Sequence, residues 1–308
     1  MKLNFSVFGL AFGLATGMAF SLPLPVFADP NIEQLVQDQI KRLKAHAEQG
    51  DANSQNNLGA LYAQGKGVVR DDAEAVKWYR LAAEQGLGLA QINLGEMYAF
   101  GRGVPQDYDE AAQWYRRAAE QKYGVAQIQL GLLYFHGLGV PQDYAEAVKW
   151  FRQSAEYGYE SSQYWLGMMY DTGQGVQQDY AEAAKWYRRA AEQGYAQAQN
   201  NLGRLYAEGR GVPQDDAKAV RWFLKAAKQG NVDAQNNMGA MHGSGRGVPQ
   251  DYVIAYGWYT VAAANDSSSA ELRAIVTKNR DAIAAKMTPE EIDEARKLAY
   301  EWQTSNAR

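Results

Sequence analysis

The sequence predicts an all-α protein, an α/α solenoid of six 36-residue helix–turn–helix repeats closed by N- and C-terminal capping helices. Three observations carry this expectation. The stretch Gly86–Gln121, GLGLAQINLGEMYAFGRGVPQDYDEAAQWYRRAAEQ, recurs six times at one fixed spacing, which is how a repeat architecture shows itself in sequence. Each copy has apolar residues at helical spacing on both sides of a glycine pair. The second half of each copy opens on an Asp, where a helix N-terminus needs an acceptor.

Composition removes several functions. Of 308 residues, 46% are hydrophobic and 21% charged, an ordinary globular balance. The chain has no Cys, so disulfides, thiol catalysis and zinc–thiolate sites are excluded. Lys and Arg number 31 against 35 Asp and Glu, which leaves no basic footprint for a nucleic acid. At the N-terminus, Lys2, the apolar run Phe5–Phe20 and Val26-Phe27-Ala28 predict a signal peptide, residues 1–28, cleaved after Ala28. The competing reading is an uncleaved anchor, because the apolar run is long. No later segment is apolar enough to span a bilayer. The mature protein is therefore expected to be periplasmic or secreted and soluble, a monomer or weak oligomer.

Residues 29–49 read as a lone amphipathic helix with Ile32, Leu35, Ile40 and Leu43 on its apolar side. Its end, Ala47-Glu48-Gln49-Gly50, matches the end of each repeat, so it is expected to cap the stack. The repeats follow as 50–85, 86–121, 122–157, 158–193, 194–229 and 230–265. In each, a first helix ends at a glycine pair such as Gly101/Gly103. Glycine past a helix end takes the left-handed conformation that closes the last turn. Six copies with no preceding strand make a phosphate cradle a poor alternative.

The second helices open on Asp71, Asp107, Asp143, Asp179, Asp215 and Asp251. Glu74, Glu110, Glu146 and Glu182 stand three residues on and predict capping boxes. Six similar acidic pairs describe helix starts, not one active site. Trp78, Trp114, Trp150, Trp186, Trp222 and Trp258 recur in the second helices, and Gly59, Gly95, Gly131, Gly167, Gly203 and Gly239 inside the first. An interior glycine costs about 1 kcal/mol relative to Ala, so a close helix approach is expected, with the indole filling the groove.

The pattern Ala-Gln-x-x-Leu-Gly-x-x-Tyr, Gly-x-Gly-Val-x-x-Asp, then Ala-x-x-Trp-x-x-x-Ala-Ala resembles the Sel-one-like repeat, a relative of the tetratricopeptide repeat, over Gly50–Asn265. The resemblance implies a right-handed α/α superhelix that serves as a protein–protein interaction scaffold, in bacteria typically exported. Departures are Val69 and Gln177 for Pro, Lys122 for the opening Gly, and His242 for Tyr.

Around the first helix, the constant positions (Ala90, Gln91, Leu94, Gly95, Met97 and Tyr98) occupy one arc and the variable ones the other. The constant arc packs the stack, and the variable arc is expected to face outward on a concave side. There the second to fourth copies place Ile92, Phe100, Ile128, Leu132, Phe135, Tyr164, Trp165 and Met168. Large apolar residues on a face that meets water predict a partner site, and His136 beside Phe135 extends it. Burial of the same residues through curvature is the competing reading. Asn57, Asn93, Asn201 and Asn237 share one position on that face. They are suited either to grip the backbone of a bound peptide or to bond neighbouring repeats.

His46, His136 and His242 fall in unrelated contexts, so no metal site, cofactor or catalytic residue is expected. After Asn265 the period stops. Residues 266–308 read as a polar break and two capping helices: Ala270–Lys286, with Leu272, Ile275, Val276 and Ile283 inward, then a capping box at Thr288-Pro289-Glu290-Glu291 and a stripe of Ile292, Ala295, Ala299 and Trp302. The preferred function is a non-catalytic scaffold for a protein or peptide partner. The alternative is a glycan-binding module or hydrolase using aromatic residues of the same face.

Overall fold

A computed structural model describes residues 30–265 and 269–305. The expected signal peptide and most of the polar break, residues 266–268, lie outside the described residues. The described residues form fifteen α-helices and no strand. They are α1 (Pro30–Glu48), α2 (Ala52–Gln64), α3 (Asp72–Glu84), α4 (Gly88–Phe100), α5 (Tyr108–Glu120), α6 (Gly124–His136), α7 (Tyr144–Glu156), α8 (Glu160–Thr172), α9 (Tyr180–Glu192), α10 (Ala196–Glu208), α11 (Asp216–Lys228), α12 (Val232–Ser244), α13 (Tyr252–Ala263), α14 (Ala270–Ala284) and α15 (Pro289–Ser305). The chain divides into two compact units between Tyr157 and Gly158. Within each unit, consecutive helices pack on one another, so the repeats form an α/α solenoid. α1 packs on α2 at one end, and α14 and α15 both pack on α13 at the other.

Local chemistry explains each repeat. The first helices all end on a left-handed glycine, for example Gly101 at φ 64°. The second glycine of the pair makes room for the preceding repeat, because a Cβ on Gly103 would stand 2.2 Å from the Asp72 carbonyl oxygen. The six aspartates cap the second helices as expected; Asp107, for instance, accepts from the Glu110 N–H at 3.1 Å. The capping boxes do not form there. The N–H of each of these aspartates already donates to the first helix of its own repeat, as from Asp71 to Tyr62 and from Asp107 to Tyr98, both at 3.0 Å. Freed of the capping role, Glu74 binds Lys77 at 2.7 Å and Glu182 binds Lys185 at 3.1 Å. The expected box at Thr288 is real: its N–H donates to Glu291 at 2.8 Å, and the Glu291 N–H donates back at 3.3 Å.

The helix approach at the interior glycines is also real, but the indole does not fill it. A Cβ on Gly95 would lie 2.7 Å from the Tyr115 ring, and one on Gly131 2.7 Å from Phe151. The aromatic residue after each Trp is turned toward the glycine, because one residue is a rotation of about 100° around a helix. The indoles pack elsewhere: Arg117 covers Trp114 at 4.4 Å, Arg189 covers Trp186 at 4.7 Å, and Trp302 of α15 stacks on Trp258 at 4.5 Å. Two end-helix expectations also change. Leu35 and Ile275 are 58% and 53% exposed, whereas Val36 and Ile40 of α1 face Gly67 and Val276 and Ile283 are buried.

Between repeats, a buried glutamine joins three chain segments. Gln91 donates to the Ala83 carbonyl at 3.2 Å and accepts from Gln121 at 2.9 Å. Gln55 makes the same two bonds with Ala47 and Gln85, and Gln199 with Ala191 and Gln229. Each adds a second hydrogen bond to a carbonyl at the preceding helix end, which already accepts from a backbone N–H of the turn that follows, as Ala83 does from Gly86 at 3.0 Å.

Two substitutions test this account. Gly131→Ala is expected to lower stability by about 1–2 kcal/mol in denaturant unfolding, since overpacking outweighs the better helix propensity. A more stable variant would mean that Phe151 yields freely. Lys122 sits at φ 68°, where the other copies place glycine. A left-handed residue with a Cβ costs about 1–2 kcal/mol, so Lys122→Gly is expected to raise stability by about 0.5–1 kcal/mol, the remainder being offset by unfolded-chain entropy. Unchanged or lower stability contradicts it.

Candidate functional site: the outer face of the first helices

The variable arc of the first helices divides into residues that are buried and residues that stay partly exposed. Ile92, Ile128 and Leu132 are buried, at 2%, 4% and 2% exposure. They leave the expected exposed patch. Ile92 occupies the repeat position of Asn56, whose side chain bonds Asn93 of the next first helix at 2.9 Å. That position therefore turns into the lateral contact between first helices, and Ile92 joins the apolar core of the first unit. Ile128 holds the same repeat position. Leu132 holds that of Glu96, whose carboxyl is also withdrawn from water.

Phe100, Phe135, His136, Tyr164, Trp165 and Met168 are half-buried. Phe135 meets His136 edge-on at 4.9 Å and Tyr144 at 5.3 Å, and burial lowers the pKa of His136. In the second unit, Tyr164 lies 5.7 Å from Trp165, 6.0 Å from Tyr187 and 5.1 Å from Tyr195, centroid to centroid.

The shared asparagines bond from repeat to repeat. Asn93 donates to Asn56, and Asn237 to Asn200, each at 2.9 Å. Asn279 of α14 donates to Asn236 at 3.0 Å, which carries the pattern into the C-terminal helices. Asn201 accepts from Asn200 at 3.4 Å, and Asn57 remains exposed. The amides of Asn93 and Asn237 thus spend a donor inside the stack, and both residues are half-buried.

Sequence reasoning did not foresee a polar cluster on this face. Asp171 takes the Arg204 guanidinium and accepts from the Tyr187 hydroxyl at 3.2 Å. Arg204 also reaches Glu208 at 3.2 Å. The readable signal was a lone acid at a position held elsewhere by Ala63, Ala99, Phe135, Ala207 and Gly243. In the first unit, burial raises Glu96 to a pKa of about 7, with Arg102 pulling the other way. Its charge opposes ionisation of Tyr79 and Tyr115, whose pKa values burial already raises. Among the described residues, no group of three or more His, Asp or Glu is placed to hold a metal ion.

An α/α repeat stack with constant packing positions and a variable outer face is the architecture of an interaction scaffold. The Sel1 repeat pattern matches residues 52–87, 88–123, 124–159, 160–195, 196–231 and 232–267, and the chain belongs to the Sel1 repeat family. It is similar to a Sel1 repeat protein from Oxalobacter formigenes, with 32% identity, a TM-score of 0.64 and coverage of 77% of this chain and 99% of that one. A protective antigen present in uropathogenic Escherichia coli strains, displaying an SLR fold, matches at 28% identity and a TM-score of 0.47, covering 88% of this chain and 82% of that one. An immunity protein from Pseudomonas aeruginosa matches at 21% identity and a TM-score of 0.41, covering 79% and 83%. No curated protein matches the chain. Proteins of the Sel1 repeat family are generally protein-interaction scaffolds. No described helix is long and apolar enough to cross a membrane.

Glu96 gives this face a pH dependence. The folded protein holds the Glu96 proton more tightly than the unfolded chain, whose carboxyl titrates near 4.5. Its contribution is therefore most favourable below that value and is lost as pH rises through about 7. Glu96→Gln is expected to match the parent at low pH and to exceed it by about 3 kcal/mol at pH 8. Parallel stability curves for the two proteins across this range would refute the burial of that carboxyl.

Proposed function

We propose that the protein is a non-catalytic adaptor of the periplasm or the secreted milieu, holding a protein or peptide partner on the outer face of its first helices. The observation that carries this reading is the contrast within the repeat. The positions that build the stack recur in every copy, whereas the outer arc changes from Asn57 to Asn93 and Phe100, then Phe135 and His136, then Tyr164, Trp165 and Met168. A face diversified copy by copy over a constant stack is where a solenoid encodes partner choice. The half-buried aromatics supply anchors of the kind that dominate binding energy. Export rests on Lys2, the Phe5–Phe20 run and cleavage after Ala28.

Site-specific photo-crosslinking tests the reading. A photoreactive residue in place of Phe135 or Trp165 is expected to capture a discrete partner from an envelope fraction. The same residue in place of Lys149 or Lys185, on second helices, is expected to capture none. Equal capture from both kinds of position, or none from the first helices, overturns it.

A further inference from the structure

Three seams between repeats share one polar contact, and the last seam lacks it. An arginine of the second helix donates to the tyrosine hydroxyl of the next first helix: Arg80 to Tyr98, Arg116 to Tyr134 at 2.5 Å and Arg188 to Tyr206 at 2.8 Å. Between α11 and α12 both partners change together. Leu224 stands at the arginine position and His242 at the tyrosine position. Leu224 is half-buried against the apolar core of the second unit. His242 is half-buried too, and its Nδ1 is enclosed with no hydrogen-bond partner among the described residues.

An imidazole in this slot is comfortable only as the neutral ring. Protonation would place the N–H of a cation at Nδ1, where no acceptor receives it and water is shut out, and an enclosed charge without a partner is strongly disfavoured. An arginine opposite would donate to that nitrogen, as it donates to the tyrosines, and hold the ring neutral; Leu224 leaves the nitrogen open to a proton. Charged groups on the elements around α12 offer little relief. Burial lowers the His242 pKa, and the Asp251 carboxylate at the start of α13 opposes this only in part. Asp251 itself accepts from the Ile254 N–H at 2.9 Å. On α11, Arg221 and Lys228 lie a turn to either side of Leu224 and are exposed. On α14, Arg280 pairs with Asp281 at 3.0 Å, and Lys286 just beyond it covers the Tyr252 ring at 5.2 Å. On α10, Tyr206 takes Arg188, and Glu208 is held by Arg204 and Arg210 at 3.2 and 3.1 Å.

We propose that His242 makes the seam between α11 and α12 acid-sensitive: a proton drives the ring from its slot and loosens the sixth repeat from the fifth. The Asn237–Asn200 bond, which ties the first helices of these two repeats at 2.9 Å, loosens with it. The inference concerns the free protein and does not rest on the partner reading. A histidine in the unfolded chain titrates near 6.5, and the folded protein holds this proton less tightly. The seam is therefore at full strength above that pH and weakens as pH falls through it.

Hydrogen exchange on the full chain, corrected for intrinsic rates, reads this helix by helix. Between pH 7.5 and 5.5 the α12 amides are expected to lose protection about three-fold or more, and the α4 amides none. His242→Gln, which cannot titrate, is expected to keep α12 protection constant over that range. The paired Leu224→Arg and His242→Tyr protein, which restores the contact of the other seams, is expected to do the same. An α12 loss that persists in His242→Gln, an equal loss in α4, or no loss in the parent overturns the proposal. The His242 imidazole resonance gives a second reading that needs no variant: titration at or above the unfolded value overturns it as well.

Discussion

The structure depends on how the polar ends of one hairpin are satisfied by the next. A helix end leaves carbonyls without intrahelical partners, and a stack of short helices multiplies the problem. Backbone N–H groups of the following turn close these carbonyls, and the buried glutamine ties the closed end to its neighbours: one side chain, as at Gln91, donates to the preceding repeat and accepts from its own. Because it is enclosed, losing either bond would strand a polar group and cost about 1–3 kcal/mol. The donor half recurs in every repeat where it is described, but the acceptor half is not a condition for stacking: the Oε1 atoms of Gln127 and Gln235 are buried without a partner, and both repeats stack. These are the two repeats in which the glutamine's usual partner is replaced. Where Tyr157 replaces the usual Gln, Gln153 accepts from Gln127 at 3.1 Å instead. Where Asn265 replaces it, the shorter side chain donates to the Gly230 carbonyl at 3.0 Å.

This explains which parts of the fold could be read from sequence. The period, the aspartate caps and the left-handed glycines are satisfied within one repeat, so their residue types name their roles. The failures arise where a group's partner lies on another helix. Glu74 and Glu110 sit where a capping box belongs, but the N–H they would take already serves a carbonyl of the first helix. Gly95 announces a close approach without saying which aromatic makes it. Spacing cannot fix helix rotation to within one residue, and Tyr115 rather than Trp114 faces it.

The candidate site divides along the same line. Ile92, Ile128 and Leu132 look like an exposed apolar patch if each first helix is considered alone. Side-by-side packing turns their positions inward, as the Asn56–Asn93 bond shows for the first two repeats. What stays partly exposed is more polar: asparagines, half-buried aromatics, and carboxylates. The Asp171–Arg204 contact joins residues 33 apart, nearly a full repeat. No local pattern foretells such a pair, although each residue stands out once the copies are aligned.

Specificity in such a protein must come from positions released from packing, and those are few. A side chain on the outer arc that bonds its neighbour, as Asn237 does to Asn200, is partly spent, so its removal would disturb stack and surface together. Asp233 differs. It stands on α12 at the repeat position of Asn53, Leu89, Val125, Ser161 and Gln197, residues of such varied chemistry that the stack places no demand on it. It is exposed and belongs to none of the ion pairs among the described residues, so neither packing nor pairing fixes its identity. Private residues that the fold does not need are the positions that stacking leaves open for binding to set.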